Sequence, residues 1–197
     1  GNNTALGDQC LAANTTASDN VGVGKDALAA NTTGVENTAV GATALDANTT
    51  AEGNSAFGKG ALTSNTTGDS NTSVGTSSMQ LNTTGANNVA VGNQALKANT
   101  TASDNTAVGF KSLLSNTTGT VNVAMGAIAL NGNTTGSNNT GIGRFALGNN
   151  TTANDNTAVG YNCLKENTTG TQNVAVGATA LDANTTGTPC TAVGYGA

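Results

Sequence analysis

Large apolar residues recur along this chain at one fixed interval. Leu6, Val23, Val40, Phe57, Val74, Val91, Val108, Met125, Ile142, Val159, Val176 and Val193 stand seventeen residues apart. A second series runs from Leu11 to Leu181 at the same interval, with Met79 its one departure. The polar positions are as regular. Asn-Thr-Thr begins at Asn14, Asn31, Asn48, Asn65, Asn82, Asn99, Asn116, Asn133, Asn150, Asn167 and Asn184, and no insertion or deletion breaks the count. Places in the repeat are numbered 1 to 17 from Gly1. Place 3 is then Asn in every copy but the last, where Cys190 stands. Place 5 is nearly always Ala or Gly, place 7 is always Gly, and place 10 is Ala, Ser or Cys.

Helix is excluded by chemistry. Gly, Thr and Asn are poor helix residues, and no unit carries an apolar i, i+3, i+4, i+7 face. The run at places 3 to 6, "NTAV" at residues 37–40, predicts a short strand ended by Gly. Short strands are also predicted around places 9 to 11 and 14 to 16. One coil per repeat then stacks each residue on its equivalent in the next coil. The predicted fold is all-β, a parallel β-solenoid of the β-roll or β-helix kind, with about eleven and a half coils. Residues 1–197 read as a single repeat domain and as a segment of a longer fibre: eleven complete repeats and a partial twelfth, 188–197. At the ~4.8 Å strand spacing the rod is roughly 55 Å long.

Stacking in register gives the repeated residues a purpose. Asn side chains in register form amide ladders, each donating to the next. Places 3 and 14 are the two expected ladders, and the place-14 ladder is the Asn14 to Asn184 series. Of the two β-branched Thr that follow, one is expected to point inward and one outward. Gly7, Gly24, Gly41, Gly58, Gly75, Gly92, Gly109, Gly126, Gly143, Gly160, Gly177 and Gly194 are expected corners, needing positive φ or close backbone approach. The large residues at places 6 and 11 are the expected core. Two per coil is thin, so small place 5 is expected to contact a neighbouring chain.

Units such as "NTAVGATALDANTT" at residues 37–50 resemble the seventeen-residue NTAxGxxALxxNTTG repeats of bacterial and phage tail-fibre proteins. More loosely, "NTAVG" is similar to the "SVAIG" motif in the heads of trimeric autotransporter adhesins. The resemblance covers all twelve copies. It implies a fibre, and the adhesin heads add trimers of left-handed parallel β-rolls.

Composition and charge narrow the function. All seventeen charged residues fall at places 1, 2, 8, 9, 12 and 13, so these places face water. Net charge is −5 with six Lys plus Arg, which is not the footprint of a nucleic-acid binder. No apolar run is long enough for membrane insertion of this segment. There is no His, so Ser-His-Asp and Cys-His catalysis are excluded, and the chain is expected not to be an enzyme and to need no cofactor.

Three features invite other chemistry. Cys10 and Cys163 share place 10 nine coils apart, roughly 43 Å at the strand spacing, too far for a disulfide. With Cys190 they read as buried or tolerated thiols, or as cross-links to another chain. Asp19, Glu36, Glu52 and Asp69 occupy places 1 or 2 of four successive coils. They are a weak candidate for a cation-binding edge, against the plainer reading of a solvated edge. Asn-Thr-Thr is also an N-glycosylation sequon. The sequon requires only the second Thr, whereas stacking accounts for both, which favours the ladder.

The expectation is a structural repeat segment of an extracellular, cell-surface or virion-surface fibre, acting as shaft, spacer or adhesin. Its expected partners are itself, as a homotrimer or end-to-end fibre, and a host-surface or glycan receptor. The alternative is an ice-binding β-solenoid using repeated Thr files.

Overall fold

The computed structural model describes all 197 residues. Each repeat contributes one three-residue strand at places 4 to 6, from β1 (Thr4–Leu6), β2 (Val21–Val23) and β3 (Thr38–Val40) to the last, β12 (Thr191–Val193). The twelve strands form one sheet in sequence order. Every neighbouring pair is parallel and offset by one repeat, as in Thr38↔Ser55, Ala39↔Ala56 and Val40↔Phe57. The chain is a parallel β-solenoid with no helix. At the ~4.8 Å strand spacing, β1 and β12 lie about 53 Å apart.

Neither of the other two predicted strands forms: places 9 to 11 are turns and places 14 to 16 a bend. Places 9 to 11 and 14 to 16 still hydrogen-bond coil to coil, Leu28 N to Ala44 O at 3.1 Å and Thr32 N to Thr49 O at 3.0 Å. Places 9 to 11 cannot be extended, because places 9 and 11 lie in the left-handed region coil after coil. Asp26 has φ 58° and Leu28 φ 53°; Thr43 and Leu45 repeat the pair at 57° and 51°. A branched or bulky residue at positive φ costs about 1–2 kcal/mol. Leu28 and Leu45 are fully buried, and that burial offsets the cost at about 1.5–3 kcal/mol each.

The core differs from the expected one. Ala39, Ala56, Ala90, Ala107 and Ala124 at place 5 are completely buried, while Phe57, Val91 and Met125 at place 6 are 41%, 37% and 44% exposed. Successive strand residues face opposite ways, so places 4 and 6 share the outer face and place 5 points inward. The coil is too narrow for the reverse. A Cβ built on Gly22 would lie 2.5 Å from Cys10 Sγ, and one on Gly141 would lie 3.3 Å from Leu130 Cγ. Each coil's core is therefore two small residues, at places 5 and 10, and the place-11 Leu. Place 5 is buried and is not a surface for a neighbouring chain; places 4 and 6 form the outer face.

The place-7 glycines meet both requirements of a corner. Their φ values run from 128° at Gly143 to 142° at Gly160. A Cβ on Gly41 would lie 2.5 Å from Gly58 O in the next coil. Strain and close approach thus act at the same residue.

Candidate functional site

Two asparagine ladders run inside the rod. In the place-14 file, Asn48 Nδ2 donates to Asn31 Oδ1 at 2.8 Å, and Asn82 Nδ2 to Asn65 Oδ1 at 2.9 Å. Rungs continue to Asn184, which donates to Asn167 Oδ1 at 3.3 Å. Asn14 heads the file without a rung, its Oδ1 buried and unpartnered. In the place-3 file, Asn37 Oδ1 accepts from both Nδ2 and backbone N of Asn54, at 3.1 and 3.0 Å. That uses both lone pairs of the oxygen. The file ends where Cys190 N donates to Asn173 Oδ1 at 2.8 Å.

The ladders meet at the place-17 carbonyl. Asn37 Nδ2 and Asn48 Nδ2 both donate to Ala51 O, at 2.8 and 3.1 Å. Asn20 and Asn31 converge on Gly34 O in the same way, each at 2.9 Å. This acceptor was invisible in the sequence, because a backbone carbonyl carries no residue signature. From Asn31 to Asn167 the place-14 side chains are completely buried, so the folded coil leaves no room for a glycan on them.

The threonines divide differently from the inward–outward pair expected. Place-15 Thr are half-buried over most of the rod, and their hydroxyls donate to the next coil's Thr carbonyl, Thr83 Oγ1 to Thr100 O at 3.0 Å. The Thr16, Thr33, Thr50 file is exposed along the whole rod. Neither column enters the core.

The acidic edge does not converge. Asp69 Oδ1 accepts from Glu52 N at 2.9 Å. No group of three or more His, Cys, Asp or Glu side chains, Asp19 and Glu36 included, is placed to hold a metal ion. The three cysteines are free. Cys163 is fully buried with Sγ 3.2 Å from Ala175 O, and burial pushes its thiol pKa up. It is an inert core residue with no surface for a cross-link. No pocket opens into the rod, and no helix is long and apolar enough to cross a membrane.

Two surface features remain. The outer sheet face, places 4 and 6, carries no charge along the rod and keeps large apolar side chains partly exposed. The edge after the Gly corner, places 8 and 9, holds four of the five aromatic residues: Phe110, Phe145, Tyr161 and Tyr195. The signal for this second feature was the confinement of aromatics to two of the six water-facing places. No family model, no curated protein and no solved structure matches the chain.

Proposed function

We propose that this chain is a structural, non-catalytic repeat segment of an extracellular or virion-surface fibre, a shaft or spacer that associates laterally with copies of itself. The observation that carries this reading is the division of labour between inside and outside. The interior is closed by ladders that propagate without interruption, while the uncharged outer face leaves Phe57, Val74, Val91, Met125 and Ile142 at 37–44% exposure in one straight file. A continuous apolar file of this kind marks an interaction surface. Parallel packing of identical rods sets each file against its equivalent, as closed cyclic symmetry requires. The resemblance to tail-fibre repeats and trimeric adhesin heads supports a trimer.

Sedimentation of the segment, with electron microscopy of native material, tests the reading. Laterally paired or trimeric rods about 53 Å per segment are expected at the coil spacing. A dispersed monomer at high concentration contradicts it. The second reading, an ice-binding solenoid, rests on the exposed Thr16 file, and measurable thermal hysteresis selects it.

A further inference from the structure

The aromatic residues of this chain are few and badly scattered for a structural role. Four of five stand at places 8 and 9 of coils 7 to 12; places 1, 2, 12 and 13 hold none. Phe110 and Tyr161 are 48% exposed and Tyr195 87%. Aromatic rings left in water along one edge contribute little to a core and much to recognition.

Cations are held on these rings. Arg144 Cζ lies 4.4 Å from the Phe145 ring centroid and 5.9 Å from that of Tyr161 in the next coil. Lys111 Nζ lies 5.1 Å from the Phe110 centroid. The two salt bridges of the chain are Lys25–Asp26 and Lys165–Glu166, so no carboxylate pairs with Arg144 or Lys111. From coil 7 onward, places 8 and 9 hold these two cations and no acid. In the first half the same places carry Asp8, Lys25, Asp26 and Lys59 and no ring.

We propose that this edge, from Phe110 to Tyr195, binds a linear acidic polysaccharide. Ring faces stack on sugar rings, while Arg144 and Lys111 pair with carboxylates. The spacing suits an extended polymer. Tyr161 and Tyr195 are two coils apart, about 10 Å, on the order of one disaccharide step; Phe110 and Tyr161 are three coils apart, about 14 Å. Arg144 has no carboxylate partner within the chain, so its guanidinium donors are free for one on a ligand. A single-stranded nucleic acid would also stack and pair, and it is the competing outcome that the test separates. The inference goes beyond the shaft role and does not depend on lateral association.

Affinity electrophoresis of the full chain through gels containing polygalacturonate tests it, with dextran as the neutral polymer and oligo-dT as the competing polyanion. Retardation by polygalacturonate, weak in dextran and reduced by salt, is expected. Arg144→Gln and Tyr161→Ala should each weaken binding about two- to tenfold, the range of one cation–π or stacking contact. Tyr161→Phe should retain binding, and Lys59→Gln, at place 8 without a ring, should leave it unchanged. No retardation, equal retardation in dextran, displacement by oligo-dT as effective as by free polygalacturonate, or a Lys59→Gln loss equal to that of Arg144→Gln would each overturn the proposal. Loss of this binding with lateral oligomers intact leaves the shaft reading standing.

Discussion

The side-chain amide of Asn116 donates to Asn99 Oδ1 at 3.1 Å and to Gly119 O at 2.9 Å, with no part of it exposed to water. Both amide hydrogens are committed, one along the rod and one across it. Replacing Asn116 with Asp removes both donors and places a carboxylate where burial disfavours charge. The folded-state pKa of that carboxylate is raised above its unfolded value of about 3.9. The folded variant then binds more protons than the unfolded one, so stability falls as pH rises above about 4. Asn116→Asp should lower the urea midpoint strongly at pH 7 and least near pH 3. Equal loss at both would contradict the buried ladder.

Of the two places with large apolar residues, place 11 is core and place 6 is surface. Leu96→Ala, at fully buried place 11, should cost about 2–5 kcal/mol. Val91→Ala, at a side chain 37% exposed, should cost the single coil stack less than about 1 kcal/mol and mainly weaken lateral association. Chemical unfolding read beside sedimentation separates the two effects.

The corner glycines are not equivalent to the other positive-φ glycines. Gly92→Ala meets both φ 138° and a contact of 2.5 Å to Gly109 O, and should cost more than about 2 kcal/mol. Gly60 has φ 66° and nothing nearer than 3.6 Å, so Gly60→Asn should change stability by less than about 1 kcal/mol. Thermal midpoints of the two variants check the contrast.

Asp46 is a half-buried acid. Burial raises its pKa, with Asp26 adding to the rise, and its Oδ1 has no partner. A raised carboxyl pKa means that stability is lost as pH rises from the unfolded value through the folded one. Asp46→Asn should therefore raise the melting temperature at pH 7 and leave it unchanged near pH 3. A melting temperature unchanged at pH 7 would contradict this.

Much of this architecture is legible in the residues. Asn31, Asn48 and Asn65 at one interval specify stacking in register, because only register lets each amide reach the next. Gly41 and Gly58 mark the corner for a different reason: φ of 139° and 135° and the closeness of the next coil's backbone leave no place for a Cβ. The interior was harder to read. A three-residue strand such as Thr38–Val40 gives no alternation long enough to say which face is wet, and Val40 is the larger apolar residue. The uniform smallness of Ala39, Ala56 and Ala90 was the better guide to a narrow core. The turn at Leu45 was not legible, since local propensity argues against Leu at φ 51° and only tertiary burial holds it there. The place-17 carbonyl, as at Ala51, depends on backbone placement alone.

The place-3 and place-14 asparagines face inward as continuous ladders. Hydrogen exchange of side-chain Nδ2 groups, followed by NMR on the native chain, tests it most directly. Asn48, Asn82, Asn116 and their place-3 counterparts Asn37, Asn71 and Asn105 should be strongly protected, while exposed Asn87 and Asn138 exchange rapidly. Nδ2 groups at Asn48 and Asn116 exchanging as fast as that of Asn87, or found carrying sugar, would contradict it.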